Sequence, residues 1–321
     1  MIRAALVAVS AFAVSSALAP HVPVSPASSP ATGAAPADFH WSGTVPTGGW
    51  LRIRNLAGNV EVRRSTSNTV DVSATPEPES DRWLWNRGPT EPVSFVQKTR
   101  GSDVLICAVS RSVSECNPDD LNSPETSTNW QPQPMHVIVR LPAGVSIQTG
   151  TMHGDLVIAQ TQGSVNATTG HGSISIRDVA GLVSASSGHG DIDINSSAGR
   201  VSARTGHGDI HVDGSAAVRA STGHGDITAT LARAGATGLD EMSFSTGHGN
   251  IAVRAPASLA GDIDLHTGRG SVSTDFPLAS DNSDNAGRRS RSEAAHGQLG
   301  GSSRAVRLSS GHGDVSLTRG D

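Results

Sequence analysis

The sequence predicts an all-β protein: a single-chain β-solenoid (β-helix) with about 18 residues and two short strands per coil, preceded by a more irregular β region. Three observations carry this. His153, His171, His189 and His207 recur every 18 residues; His224 and His248 follow after 17 and 24, Arg269 stands in the same setting, and His312 closes the series. Each unit holds two alternating apolar and polar runs separated by two turn signals, as in GHGDIDINSSAGRVSART from Gly188 to Thr205. With 36% hydrophobic residues, 36 glycines and no tyrosine, the core is built from Val, Ile, Leu and Ala at close spacing, as in thin stacked sheets.

Read from the first residue, Arg3, the apolar run Ala4–Val14 and the small residues Ala17, Leu18 and Ala19 form a secretory signal peptide over 1–19, too short to span a bilayer. Pro20 disfavours cleavage directly after Ala19, so a site near Ala17 or a few residues downstream is open. Residues 20–37 are dominated by Pro, Ala and Ser and read as a disordered tether. No later segment is apolar enough to be transmembrane, so the expected location is exported: periplasmic, envelope-associated or secreted.

An N-terminal β region over 38–144 follows, with alternating runs at LRIRNLAGNVEV (Leu51–Val62), TVDVSA (Thr69–Ala74) and Val93–Val109. Cys107 and Cys116 in an exported chain are expected to form a disulfide that pins the segment before Asn117. All five tryptophans precede the regular repeats. Trp41 and Trp50 fit an apolar plug at the end of the solenoid. Trp83 and Trp85, in a Pro-rich loop, are the candidates for partner contact.

The solenoid proper spans 145–318. In the unit above, Ile192, Ile194, Val201 and Ala203 share one parity and face inward, while Asp191, Asp193, Ser202 and Arg204 face water. Neighbouring units repeat the choice with Ile210, Val212, Val218 and Ala220. Eight coils from Val145 to Leu317 would extend roughly 38 Å at the spacing of neighbouring strands. Residues 280–303 break the period and read as a mobile insertion before the last coil. That coil ends at Leu317 with too little chain beyond to cover a strand edge, which suggests self-association there.

These elements resemble the bacterial putative adhesin family of β-strand repeat proteins, exported or envelope-associated domains largely without assigned function. The resemblance runs from Phe39 to Leu317 through LRIRNLAGNVEV, MHVIVRLPAGVSI and the Gly-Asp turns at 154–155, 190–191, 208–209, 225–226 and 313–314. Where the family commonly has Asn or Ser before Gly-Asp, this chain has His. The resemblance implies an adhesin-like role.

Superposed corners would place His171, His189, His207, His224 and His248 in a column at about 4.8 Å spacing. Two readings fit: a stacked surface ladder, or a divalent-metal column assisted by Asp191, Asp209 or Asp226. Protonating two rings at that distance costs about 0.9 kcal/mol even in water, so the ladder predicts depressed histidine pKa values and lower stability in acid. A calcium roll is excluded by register, because Ile210 occupies the position that roll gives to Asp. No H-E-x-x-H, G-x-S-x-G or P-loop occurs, and no catalytic or cofactor residue is assigned. A polysaccharide-active β-helix, using a pair among Asp191, Asp193, Asp209 and Asp213, is the enzymatic alternative. Lys+Arg 24 against Asp+Glu 29 offers no basic excess for nucleic acid. The leading expectation is a non-catalytic envelope scaffold that presents columns of Asp, Ser, Arg and His to a polymer or protein partner.

Overall fold

The structure, a computed structural model, describes residues 38–77, 90–116, 131–215, 217–231, 241–283, 292–301 and 304–320. The leader, the tether, Trp83, Trp85 and Trp130 lie outside the described residues. Among the described residues no helix is long and apolar enough to cross a membrane.

The irregular part contributes β1 (Phe39–Gly43), β2 (Trp50–Arg54), β3 (Val60–Arg64), β4 (Val70–Pro76), β5 (Ser94–Arg100), β6 (Asp103–Val109) and β7 (Met135–Leu141). Six regular coils follow: β8 (Ser146–His153) with β9 (Leu156–Ala159), β10 (Val165–His171) with β11 (Ile174–Val179), β12 (Val183–His189) with β13 (Ile192–Ser197), β14 (Val201–His207) with β15 (Ile210–Ser215), β16 (Val218–His224) with β17 (Ile227–Leu231), and β18 (Met242–His248) with β19 (Ile251–Pro256). The tail holds β20 (Gly261–Thr267), β21 (Val272–Thr274), β22 (Ala279–Ser283), β23 (Ser292–Leu299), β24 (Ala305–His312) and β25 (Val315–Gly320).

Each coil gives one strand to each of two sheets, so the described residues form a two-sheet solenoid. One sheet runs β1-β4-β7-β3-β9-β11-β13-β15-β17-β19-β25-β21 and the other β22-β23-β20-β24-β18-β16-β14-β12-β10-β8-β2-β6-β5. The expected register is observed: His171 pairs with His189, His189 with His207, and Ile192 with Ile210. Alternation puts Val183 and Ala185 of β12 and Ile192 and Ile194 of β13 inside, each at most 2% exposed. Every inward residue therefore lies on its counterpart one coil away, and a single continuous core links Val45 to Leu317. A lone coil has no such neighbours, so stability is a property of the stack.

Stacking does not follow sequence order at the C-terminal end. β24 lies between β18 and β20, and β25 between β19 and β21, so the last coil in sequence is inserted under the coil that precedes it. The edge expected to be open beyond Leu317 is therefore covered. The local patterns of both coils are interchangeable, so their order is decided by contacts distant in sequence.

Residues 280–303 do break the coil period, but the described part of that segment is strand. β23 pairs antiparallel with β20, β22 pairs antiparallel with β23, and Ala295 is buried. The polar, glycine-rich surroundings masked the alternation of EAAHGQL.

The N-terminal end is rearranged in the same way. The coil β2–β3 sits between β8–β9 and the later strands β6 and β7. Antiparallel strands close this end: β5 on β6 in one sheet, β4 on β7 and β1 on β4 in the other. Trp41 on edge strand β1 packs against the core, as an end plug should. Trp50 does not plug an end. It lies on β2, inside the sheet, with the Arg52 guanidinium 5.8 Å from its ring.

The disulfide between Cys107 and Cys116 is formed. With Leu105 it makes a small apolar cluster separate from the main core. The loop it closes covers Arg54, only 3% exposed, whose Nη2 donates to the carbonyls of Ala108, at 3.2 Å, and Glu115. Charge-assisted bonds of this kind let the guanidinium stay buried.

Candidate functional site: the imidazole ladder and its corner

The corner between the sheets reads Thr/Ser-Gly-His-Gly-Asp in four coils and departs from it at one or two positions in the others, and the structure gives each residue a task. The inward hydroxyl donates to the carbonyl of the second glycine one coil earlier: Thr169 to Gly154, Ser187 to Gly172, Thr205 to Gly190, Thr222 to Gly208 and Thr246 to Gly225, all at 2.9–3.0 Å. Ser310 to Gly249 and Thr267 to Gly313 continue the series at 2.8 and 2.7 Å. Without these bonds the corner would bury unpaired polar atoms on the inner side of the turn. This hydroxyl column is absent from the sequence reading, although its signal was present: a Thr or Ser two residues before every corner histidine.

The carboxylates do related work on the outside. Asp191 Oδ1 accepts the Asp209 N–H at 2.8 Å, Asp209 Oδ1 that of Asp226 at 2.7 Å, and Asp226 Oδ1 that of Asn250 at 2.7 Å. Asn250 serves Asp314 and Asp314 serves Ser271. Ser271 bonds to Asp314 with its backbone N–H and then its hydroxyl, and these hold the Asp314 carboxyl below its usual pKa. Asp191, Asp209 and Asp226 thus each spend an oxygen on the next coil.

The first glycine is needed for close approach, since a Cβ on Gly206 would stand 2.6 Å from the Gly188 carbonyl oxygen. The histidine joins coils through its backbone, as where the His207 carbonyl accepts the Gly190 N–H at 2.8 Å, and its ring is left to stack. His153, His171, His189, His207, His224, His248 and His312 form one stack, with ring centroids 4.6–4.9 Å apart and planes within 6° of parallel. Five of these are the column expected from the period; His153 and His312 extend it, and the insertion of β24 is what brings His312 against His248. In backbone register Ala57 stands at one end of the ladder and Arg269 at the other. At the Ala57 end, desolvation first and the charge of His171 second lower the His153 pKa.

The rings are placed to stack rather than to chelate. Two metal–nitrogen bonds of about 2.1 Å span at most about 4.2 Å, and lone pairs in parallel ring planes do not converge. Among the described residues no group of three or more His, Cys, Asp or Glu side chains is placed to hold a metal ion. Asp193 and Asp213 lie on the outer sheet face, where Asp193 accepts the Asn195 side-chain amide at 2.5 Å.

A family model described as Toastrack DUF4097 matches residues 126–318, more than half of the chain. Among solved structures, the chain is similar to a "putative cell adhesion protein" from Clostridium sporogenes, with 11% identity over 89% of this chain and 100% of that one, at a TM-score of 0.28. It is also similar to a "putative adhesin" from Bacteroides fragilis, with 12% identity over 88% of this chain and 97% of that one, at a TM-score of 0.41. No curated protein matches. The resemblance seen in the serial Gly-Asp turns thus has a family behind it: this chain belongs to the Toastrack DUF4097 family.

Proposed function

We propose that this chain is an exported, non-catalytic scaffold that presents repeating columns of side chains to a cell-envelope polymer or protein partner. The observation that carries this reading is the division of labour at the corner. Hydroxyl, glycine and carboxylate are consumed in holding coil to coil, which leaves the imidazole ladder and the outer rows, such as exposed Ser184 and Arg219 with half-buried Ser202 between them, as the repeating outer surface. Export is supported by the leader sequence and by the Cys107–Cys116 disulfide.

The test is co-sedimentation of the mature chain with isolated envelope polymers, peptidoglycan sacculi first, beside a Ser184→Glu, Ser202→Glu variant. Binding that the variant loses supports the reading. No binding to any envelope fraction, or release of sugar fragments from a polymer incubated with the protein, overturns it. A Trp83→Ala, Trp85→Ala variant in the same assay reports whether those two side chains take part.

A second reading, divalent metal on the ladder through His171, His189, His207, His224 and His248, is favoured by the alignment of identical imidazoles. It requires rings to turn out of the stack. Calorimetric titration with zinc, nickel and copper decides it, and the absence of both heat and thermal shift removes it.

A further inference from the structure

We propose that the C-terminal coil, residues 304–320, is an exchangeable insert, and that the slot it fills also accepts the same coil from a second copy of this chain. The coil follows β20–β23 in sequence yet is bonded between β18–β19 and β20–β21, β24 to β18 and β20, β25 to β19 and β21. The sequence leading into it is Gly300-Gly301-Ser302-Ser303.

Its two neighbours can also fit each other. Across the three coils the inward columns read Met242, Val306, Ile263; then Phe244, Leu308, Leu265; then Thr246, Ser310, Thr267. The middle member of each column resembles the outer two in size and polarity. At the corner, Ser310 donates to the Gly249 carbonyl at 2.8 Å and Thr267 to the Gly313 carbonyl at 2.7 Å. Thr267 therefore carries the group needed to bond to Gly249 when the coil is out. Withdrawal breaks two coil-to-coil interfaces, and closure of β20–β21 onto β18–β19 restores one. Insertion into a second copy restores both, the condition under which exchange of an identical element has little cost.

Glu241 marks the seat of the coil on the outer face. Its carboxylate bridges Arg219 of β16, at 3.2 Å, and Arg307 of β24, clasping the insert across β18. Being exposed, this clasp is weak and does not prevent release.

Ser243 and Arg307 stand opposite each other across β18 and β24. The experiment uses two singly substituted chains, Ser243→Cys and Arg307→Cys, mixed, unfolded with the native disulfide intact, and refolded together at low and high protein concentration. Exchange predicts a disulfide-linked dimer joining position 243 of one copy to 307 of the other, identified by mass, in a fraction that rises with concentration. The proposal is overturned when the doubly substituted chain closes its own 243–307 bond but the mixture gives no linked dimer at any concentration. If the doubly substituted chain does not close, sedimentation of the wild-type chain refolded at the same concentrations decides: a dimer that persists on dilution supports exchange, and monomer throughout overturns it.

Discussion

Replacing Gly208 by alanine should cost far more than the loss of one glycine's flexibility. Gly208 has φ +139°, a region that side-chain-bearing residues avoid, at a cost of about 1–3 kcal/mol. The added methyl would also stand 2.6 Å from the Gly190 carbonyl carbon and 2.9 Å from Asp191 Oδ1. That carbonyl cannot retreat freely, because it accepts the Thr205 hydroxyl at 2.9 Å, and losing this bond costs about 1 kcal/mol more. The sum is about 2–4 kcal/mol. Gly101→Ala is the control: its φ is +62° and nothing lies within 4 Å of the new methyl, so only the left-handed backbone penalty of about 1 kcal/mol applies. Urea unfolding should show the larger midpoint shift for Gly208→Ala, and amide hydrogen exchange should show the loss centred on β13, β14 and β15. Equal shifts for the two variants would refute the claim that close coil-to-coil approach, and not backbone conformation alone, demands glycine at the corner.

Other outcomes follow from the same geometry. The lowered His153 pKa means that folding favours the neutral ring, while the unfolded ring takes up a proton near its ordinary pKa of about 6.5. Its contribution is therefore intact above about 6.5 and is lost as pH falls from there toward the lower folded value; melting temperatures between pH 7.5 and 5 should decline less steeply in His153→Asn. Phe244→Ala, at a side chain that is 0% exposed, should cost about 3–5 kcal/mol, and hydrogen exchange should rise first in β16, β18 and β24. Replacing Cys107 and Cys116 by serine should cost about 2–3 kcal/mol by loop entropy and release the Ala108 and Glu115 carbonyls from Arg54, read as a lower melting temperature that reductant no longer changes. Gln160 holds φ +58° without being glycine, so Gln160→Gly should add up to about 1 kcal/mol of stability, read as a higher urea midpoint; a lowered midpoint would contradict this.

Much of the fold was legible because the period is written in residues whose chemistry is local. Val, Ile and Ala at alternate positions set which side is buried, and Gly-His-Gly sets where the chain turns, so β8 to β19 follow from the sequence alone. The order of coils at either end does not. Thr267-Gly268-Arg269-Gly270-Ser271 and Ser310-Gly311-His312-Gly313-Asp314 are equally good corners, and nothing within either says which lies against His248. The ladder was legible as spacing. Its near-parallel ring stacking, and the use of Asp191, Asp209 and Asp226 as acceptors for the next coil's N–H, depend on how closely the coils approach, a distance that the sequence does not state.

The antiparallel strands at the two ends bear on how such a molecule remains finite. In-register parallel strands with identical side chains above one another are also the arrangement of a cross-β fibril, in which any exposed rung templates the next. Here β5 terminates one sheet in the opposite direction to the rungs, β1 and β22 are set off from the rungs by the reversed strands β4 and β23, and the remaining margin, β21, is only three residues long. A further molecule arriving at these margins finds a strand without the side-chain pattern of a coil, or almost no strand at all. The repeat is thereby allowed to be nearly perfect in its interior without polymerising at its tips.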